Sequence, residues 1–291
     1  MIIVTGATGR LGSLVVSKLL DRVPAAEVGV SVRDVGTAAA LADRGVRVRA
    51  GDFTDPETLD HAFEGADQVL VISAAIRGSR ASAASKCAID AAVAAGASRV
   101  LYTSHQMASR DSQFAPAREH AEAEAHLAVQ DVASTALRHG FYASTLEHYL
   151  PRALQTGELR LPADGPVSWT AHDDLAEVDA IALTNPGVLT KTRPLTASEL
   201  LDFADVARVA GELSGRTIRR IVVDDEEWTA DMTSQGMPAD LAEFTLGMFR
   251  AARAGEMAVT DPALEDLIGR PATPARTVIE GILQQVPVLK G

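Results

Sequence analysis

The chain of 291 residues contains a single cysteine, Cys87. One cysteine cannot form an intramolecular disulfide, and it cannot supply the several thiolates of a cysteine-rich zinc site. Basic residues are also scarce, since 27 lysines and arginines stand against 39 acidic residues and give a net charge of −12. This balance disfavours a nucleic-acid partner, because such a surface needs a basic face.

Long apolar runs are absent as well. No run of about 18 apolar residues occurs, so we expect no membrane span. The first strand pattern begins at Ile2, which leaves no room for a signal peptide. Together these absences predict a soluble, cytoplasmic protein with no membrane partner.

What the sequence does contain is concentrated in its first twelve residues. A short β-branched run from Ile2 to Val4 is followed directly by a glycine-rich turn and a helical pattern. The first glycine permits a tight turn, the second lets the backbone approach a pyrophosphate, and the third lets the helix pack closely on the strand. The turn is therefore expected to bind phosphates at the N-terminus of the helix, through Gly6, Thr8, Gly9, Arg10, Leu11 and Gly12.

Strand and helix patterns alternate through the first half of the chain. Further strands are predicted at Val28–Val32, Val46–Val48, Val69–Ile72, Val100–Thr103 and Ser134–Leu137. Such alternation predicts an α/β fold, a doubly wound parallel Rossmann-type sheet with helices on both faces. Residues 1–150 are expected to form the NADP-binding domain of this fold.

The regularity fades after residue 150, where prolines and glycines become frequent. Residues 151–291 are expected to form a smaller, mostly helical C-terminal lobe that covers the substrate, with the chain crossing back to the main sheet at least once. A helix is predicted over Ser198–Leu213, with Ser198 as its N-cap. Later helices are expected to break at Gly236–Pro238 and at Asp261–Pro262.

The end of the second strand distinguishes between the two nicotinamide cofactors. Arg33 lies at the expected tip of this strand, where a guanidinium can pair with a 2′-phosphate and stack on adenine. Arg10 could supply a second positive charge. In the alternative interpretation, Asp34 accepts a hydrogen bond from the ribose 2′-OH of NAD. The sequence favours NADP(H).

Other cofactor contacts are expected where strands end. Asp52 could accept from the adenine amino group with Phe53 beside the ring, although Asp52 could equally begin a turn. The small residues after the fourth strand would let the cofactor cross the sheet edge, and the polar pair after the fifth would hold the nicotinamide ribose and amide. These residues are Ser73, Ala74, Ala75, Thr103 and Ser104.

One catalytic pattern is missing. Short-chain dehydrogenases commonly pair a catalytic tyrosine with a lysine four residues later, and the lysine lowers the pKa of the tyrosine. The three tyrosines, Tyr102, Tyr142 and Tyr149, have Gln106, Leu146 and Ala153 at that position. The absence argues against ordinary alcohol–ketone chemistry. It leaves a hydride acceptor that needs little proton help, such as a quinone or a cationic dye.

Several segments resemble the NmrA type of atypical short-chain dehydrogenases and, within it, the bacterial NADPH:quinone oxidoreductases of type 2 and the triphenylmethane reductases. The segments are Gly6–Gly12, Val32–Arg33, Ala50–Phe53, Leu101–Ser104, Arg118–Glu124, Ala136–Tyr142 and Leu267–Thr273. The resemblance covers nearly the whole chain. It implies that the large domain binds NADP(H), that a quinone lies between the lobes, and that the segment Arg138–Tyr142 lines the cleft. It also implies a homodimer.

The sequence departs from the family pattern around the substrate. His139 stands where the family usually has asparagine, and Phe141 replaces a bulkier residue, usually tryptophan. The loop Ser104–Ser109 is also unlike the relatives. Both His139 and Phe141 are expected on the cofactor side of the cleft, with capping of the strand as the alternative for His139.

Two residues are candidates for catalysis. His120 and Glu124 are spaced i, i+4 on a predicted helix, so the carboxylate could orient a neutral imidazole as proton donor to a hydroquinone oxygen. A solvated helix face is the alternative, but the resemblance places His120 near the cleft, close to the position of the missing lysine. Tyr142 could donate to substrate or cofactor, or could be a core aromatic. A metal site is not expected, because no third ligand converges.

These observations lead to one principal hypothesis. The chain is expected to be an NADPH-dependent reductase that transfers hydride to a small-molecule substrate, a quinone-like aromatic electrophile. One alternative is a non-catalytic, NADP(H)-binding redox sensor that acts on a protein partner. The other is a reductase of cationic dyes or enones.

Overall fold

A computed structural model describes residues 1–286 of the chain. Short strands, several of them rich in β-branched residues, form the centre of the molecule. The strands are β1 (Ile2–Thr5), β2 (Val28–Val32), β3 (Arg47–Ala50), β4 (Gln68–Val71), β5 (Arg99–His105), β6 (Ala133–His139), β7 (Phe141–Tyr142), β8 (Glu158–Pro162), β9 (Trp169–Thr170), β10 (Arg193–Leu195) and β11 (Arg219–Val223). The helices are α1 (Arg10–Leu20), α2 (Ala39–Asp43), α3 (Pro56–Phe63), α4 (Ser79–Ala94), α5 (Ala115–Leu127), α6 (Leu150–Thr156), α7 (His172–Thr184), α8 (Phe203–Ser214), α9 (Asp225–Ser234), α10 (Ala239–Arg253), α11 (Ala263–Ile268) and α12 (Ala275–Gln285).

The main sheet has seven strands in the order β10-β6-β5-β4-β1-β2-β3. Every neighbouring pair in it is parallel. One face packs against α1, α7 and α11, and the other packs against α3, α4 and α5. The predicted doubly wound α/β fold is thus confirmed. The strand order reverses between β1 and β4, and the crevice at such a reversal is where open parallel sheets bind ligands.

The C-terminal part of the chain has an apolar cluster of its own. This cluster joins α6, β8, α8, α9, α10 and α12 around the buried rings of Trp169, Phe203 and Phe249. The strands β8 and β11 form a separate parallel pair within it. The C-terminal part is mostly helical, as predicted.

The chain returns to the main sheet after entering this region. Helix α7 packs on α1, where Lys18 contacts Asp173 at 3.0 Å. Strand β10 then pairs with β6 as the seventh strand. The guanidinium of Arg99 in β5 donates to the carbonyl of Ala182 in α7 at 2.6 Å. Residues 172–195 therefore lie with the sheet, and the division at residue 150 stays a prediction.

The predicted start of α8 at Ser198 is wrong. The N-cap is Asp202, whose carboxylate accepts from the N–H groups of Ala204 and Asp205 at 2.8 and 2.9 Å. The preceding Leu201 is held in a bridge to Val167, which keeps that stretch extended. The stretch after residue 150, in which prolines and glycines are frequent, contains α6, β8 and β9, which are too short to leave a clear periodic pattern.

Candidate functional site

The glycine turn between β1 and α1 has the geometry of an anion site. Gly6 has a φ of 61°, and a Cβ at Gly12 would lie 2.3 Å from the carbonyl oxygen of Gly6. Gly9 is the N-cap of α1 and provides no side-chain cap. The first N–H groups of the helix therefore lack intrahelical partners and point out of its positive end. Among the other predicted residues, Thr8 is exposed on the turn, whereas Leu11 is buried and offers its backbone.

The residues around the expected adenosine end are exposed at the edge of the sheet. Asp34 caps a short turn, since its Oδ1 accepts from the N–H of Gly36 at 2.9 Å. Arg33 is exposed at the end of β2. One carboxylate oxygen of Asp34 is therefore already hydrogen-bonded, and the contact of Arg33 with a ribose 2′-phosphate stays a prediction. Arg10, the second predicted cation, forms an ion pair with Glu147 at 3.0 Å.

Asp52 takes the turn role that the sequence left as an alternative. Its Oδ1 accepts from the N–H and the hydroxyl of Thr54 at 2.8 and 2.7 Å. These bonds lower the pKa of the Asp52 carboxyl, and the charge of Arg33 adds to the effect. Phe53 is half-buried against the apolar cluster of α3 and α4. A contact of either residue with adenine stays a prediction.

The ends of β4 and β5 are tied together by hydroxyl groups. The N–H of Ser73 donates to Oγ1 of the buried Thr103 at 2.9 Å. Ser104 is buried, and its hydroxyl donates to Glu124 at 2.6 Å. Arg138 binds the same carboxylate through two bonds of 2.9 and 2.6 Å. The hydroxyl of Ser104 is therefore committed inside the protein rather than to the edge where a ribose would lie.

The predicted pairing of His120 with Glu124 is wrong. Arg138 and Ser104 occupy the carboxylate of Glu124. His120 instead has a hydrogen bond of 2.7 Å between its Nδ1 and the hydroxyl of Tyr102. The spacing along α5 could not reveal this arrangement, because all three partners, Tyr102, Ser104 and Arg138, come from strands of the sheet.

A cleft of about 350 Å³ opens beside these residues. It lies at the C-terminal end of β4 beside Tyr102 of β5, between the N-terminal halves of α4 and α5, and one residue of α10 also lines it. The walls are mainly apolar, with a few polar groups at the base. The lining residues are Ser73, Ala74, Ala75, Ile76, Arg77, Ala81, Ser85, Tyr102, Pro116, Glu119, His120 and Phe244.

Burial controls the protonation of the two groups at the base of this cleft. It lowers the pKa of the His120 imidazole to about 4, and the nearby His139 adds to the effect. Burial also raises the pKa of the Tyr102 phenol. Near pH 7 the imidazole is therefore neutral and the phenol keeps its proton. Tyr102 could not be identified as a site residue from the sequence, because the known pattern of a catalytic tyrosine has a lysine four residues later and Gln106 stands there.

The other predicted catalytic residue, Tyr142, packs beside the rings of His139 and His172. Tyr142 is half-buried with its ring 4.2 Å from that of His172, and it does not line the cleft. No hydrogen bond of its hydroxyl occurs within residues 1–286. Burial raises the pKa of this phenol, so it is a weak acid near pH 7. The structure thus does not bring Tyr142 together with His120, and a catalytic role for it stays a prediction.

The residues that depart from the family pattern are internal. His139 is buried with its Nε2 2.8 Å from Oδ1 of Asp179 in α7. Phe141 packs edge-on against Trp169, and its N–H donates to the side chain of Gln106 at 2.8 Å. The amide nitrogen of the buried Gln106 donates to the carbonyl of Met257 at 2.8 Å, so this side chain ties the C-terminal region to β7. Contacts of His139 and Phe141 with a cofactor stay predictions.

Two general features of the described residues complete the site. Within residues 1–286, no group of three or more histidine, cysteine, aspartate or glutamate side chains is arranged to hold a metal ion. None of the helices in this range combines the length and apolarity that crossing a membrane would require.

Comparison with known proteins places this arrangement in a family. The sequence is 31% identical to the NAD(P)H azoreductase of Xenophilus azovorans over 274 residues, which are 94% of each chain. An NADPH-dependent quinone oxidoreductase of Escherichia coli, solved with NADPH, superposes with a TM-score of 0.92 at 29% identity and covers 97% of this chain and 100% of that one. The triphenylmethane reductase of Citrobacter sp., solved with NADP(H), gives a TM-score of 0.88 at 32% identity over 98% and 99% of the two chains. The sequence pattern of the NmrA-like family matches residues 1–276, and the chain therefore belongs to the NmrA-like family.

Proposed function

We propose that this protein is an NADPH-dependent reductase that delivers hydride to a quinone-like aromatic electrophile. The observation that carries the proposal is the mainly apolar cleft at the ends of β4 and β5, with a neutral imidazole at its base. Its relatives are reductases of quinones, azo compounds and triphenylmethane dyes by name. An NAD(P)H-dependent oxidoreductase is the class common to them.

The residues present fit the cofactor. The turn at Gly6–Gly12 offers unshared N–H groups to a pyrophosphate, and the contact between Gly6 and Gly12 leaves no room for a Cβ. Arg33 offers a positive charge for the 2′-phosphate of NADP(H). Ala74 and Ala75 keep the sheet edge between the turn and the cleft free of bulky side chains. When bound there, NADPH supplies a hydride.

The cleft would hold a flat acceptor and stabilise the charge that develops on it. Ala75, Ile76 and Phe244 provide apolar walls that exclude water. After hydride addition, a quinone carries negative charge on one oxygen. His120 would donate a hydrogen bond to this oxygen while remaining neutral, as fixed donors do in oxyanion sites.

The proton that completes the hydroquinone would come from solvent. A neutral imidazole is a very weak acid, so His120 fits the role of hydrogen-bond donor better than that of proton donor. The acceptor thus gains two electrons and one hydrogen as hydride, and water supplies the second hydrogen as a proton. No further redox group is needed.

The test is NADPH oxidation, followed by absorbance, with a panel of benzoquinones and naphthoquinones beside an azo compound and a cationic triphenylmethane dye. We expect the quinones to be turned over with the highest kcat/KM, and Gly9→Val to abolish the reaction. A Cβ at residue 9 would lie 3.2 Å from the carbonyl oxygen of Gly6. Gly187→Val is the matched control, because a Cβ there meets no atom within 4 Å.

The other outcomes contradict the proposal in different ways. If the dyes were preferred over every quinone, the proposed class of acceptor would be wrong, but the protein would still be a reductase. Tight binding of NADPH with no consumption in the presence of any acceptor would contradict the reductase itself. That result would favour a cofactor-binding sensor.

A further inference from the structure

We infer that Tyr102 is a positioning residue, whose hydroxyl donates to Nδ1 of His120 and thereby fixes the imidazole proton on Nε2, facing the substrate cleft. The inference rests on the proposed function and deepens it. It assigns a task to a tyrosine that the missing Tyr-x-x-x-Lys pattern had set aside. Tyr102 itself is not proposed to transfer a proton.

The geometry holds the two rings in a fixed relation. Tyr102 lies in the middle of β5 and is 1% exposed, with its ring in the apolar cluster beneath α4 and α5. Its hydroxyl is 2.7 Å from Nδ1 of His120 and 3.5 Å from Oγ of Ser85. The ring centroids of Tyr102 and His120 are 5.6 Å apart. The strand anchors the phenol, and the phenol can therefore restrain the ring of His120 on the more exposed helix.

The same contacts specify which imidazole nitrogen carries the proton. A neutral imidazole has one N–H donor and one acceptor nitrogen. The phenol has a single O–H, and Nδ1 of His120 at 2.7 Å is a much closer acceptor than Oγ of Ser85 at 3.5 Å. We therefore assign the O–H to Nδ1, which leaves the imidazole hydrogen on Nε2. Nε2 of His120 has no hydrogen-bond partner within residues 1–286, and the ring lines the cleft. With the phenol O–H directed to Nδ1, the hydroxyl of Ser85, 3.5 Å away, is left to donate to the phenol oxygen.

The position of this proton decides what the cleft presents to the acceptor. With the hydrogen on Nε2, the imidazole donates to the oxygen that becomes negative. With the hydrogen on Nδ1, a lone pair would face the same oxygen and repel it. A partner that selects one tautomer is how proteins commonly fix the role of a histidine.

Tyr102→Phe removes the hydroxyl and keeps the ring. We expect kcat with a benzoquinone to fall about fivefold to tenfold while KM for the quinone and for NADPH stays within about twofold, the size that one lost hydrogen bond predicts. Tyr149→Phe is the matched control, because Tyr149 is a half-buried phenol whose pKa is also raised by burial, and it packs against Phe203 and does not line the cleft. We expect this control to leave kcat unchanged.

The substitution His120→Gln separates positioning from a general packing effect. An amide nitrogen there can donate to the cleft without any tautomer being selected. In the His120→Gln background, Tyr102→Phe should therefore change kcat by less than about twofold. An equal fall in both backgrounds would overturn the inference, because it would mean that Tyr102 acts without His120.

A second readout does not depend on turnover. Nitrogen-15 NMR of the histidine-labelled protein reports which ring nitrogen is protonated, and the spectrum of His120→Gln assigns the signal. We expect the wild type to show the proton on Nε2, and Tyr102→Phe to show a population with the proton on Nδ1. An unchanged tautomer in Tyr102→Phe would overturn the inference even if quinones are reduced. Failure of the wild type to reduce any acceptor would overturn the proposed function, and the NMR result would still decide whether Tyr102 places the proton.

Discussion

The glycine turn and the substrate cleft lie at the same edge of one sheet but are built in different ways. The turn is made of backbone within seven consecutive residues, and a Cβ added at Gly12 would collide with the carbonyl oxygen of Gly6. The cleft is made of side chains from five separate elements, the most distant being Phe244 in α10. A backbone site can be encoded in a local motif, whereas a convergent site exists only after the chain has folded. Substitutions in the two regions should therefore have different consequences.

The largest effect is expected in the turn. In Gly12→Val, the new Cβ would lie 2.3 Å from the carbonyl oxygen of Gly6, so the helix must move away from the strand. We expect NADPH binding to be abolished and the free energy of unfolding to fall by about 3 kcal/mol or more. Fluorescence titration and denaturant unfolding would measure both, with Gly187→Val as control. NADPH binding within about tenfold of the wild type would show that this turn is not the phosphate site.

In the cleft, the corresponding substitution should affect catalysis alone. His120→Ala removes the proposed donor, and we expect kcat to fall about 100-fold, as for the loss of an oxyanion-hole donor. KM for NADPH should change by less than about twofold. His126→Ala is a control on the same helix, since His126 pairs with Asp90 at the surface. If both variants lost activity equally, the effect would belong to the helix and not to the cleft.

The exposed end of the cofactor site should respond selectively. Arg33→Ala removes a charge that would pair with the 2′-phosphate, so KM for NADPH should rise about tenfold or more. KM for NADH should change little, because NADH has no phosphate there. Steady-state kinetics with both cofactors decide the point. An equal change for the two would contradict the assignment of Arg33 to NADP(H).

The buried His105 should make the free energy of unfolding fall in acid. Burial lowers the pKa of His105 to about 3, with His120 and Arg138 contributing, whereas an unfolded histidine titrates near 6.5. The unfolded chain therefore binds more protons between about pH 6.5 and pH 3, and stability falls as the pH falls through this range. This one group should cost about 2 kcal/mol between pH 7.5 and pH 5.

His105→Asn removes the group that titrates. The N–H of Met107 donates to Nδ1 of His105 at 3.2 Å, and the asparagine side chain keeps an acceptor for it. Denaturant unfolding at the two pH values should then show a smaller loss than in the wild type. His61→Asn is the control, because the side chain of His61 is 68% exposed. The same acid loss in His105→Asn and wild type would show that other groups dominate.

The smallest effect tests a residue whose predicted and observed surroundings differ. Ser104 was expected to hold the nicotinamide ribose, but its hydroxyl donates to Glu124. We expect Ser104→Ala to lower the free energy of unfolding by about 1 kcal/mol and to change KM for NADPH by less than about twofold. A tenfold rise in KM with unchanged stability would restore the ribose role.

The sequence could predict the parts of this molecule that depend on neighbours along the chain. The alternation of strands and helices identified the parallel sheet, and Val28–Val32 was placed at its observed bounds. The glycine turn could be identified because each glycine is required by a backbone conformation or a close backbone approach. Arg33 could be identified as a candidate because it directly follows the predicted strand Val28–Val32.

The remaining features depend on contacts between distant residues. The spacing along α5 predicted a pair between His120 and Glu124. In the structure, Tyr102 of β5 binds His120, and Arg138 of β6 binds Glu124. The N-cap of α8 was predicted at Ser198 but is Asp202, because Leu201 is held in a bridge to Val167. In each case, a partner from outside the local segment decided the outcome. Local pattern carries no information on such partners.

The return of the chain to the sheet has a consequence for where this protein can be divided. A fragment ending at residue 150 would leave β6 as an open sheet edge, because its neighbour β10 comes later in the chain. It would also uncover the apolar side of α1 that α7 covers. A gene cut at the apparent end of the nucleotide-binding half would thus encode an aggregation-prone product. Residues 172–195 therefore belong to the same folding unit as the first half of the chain.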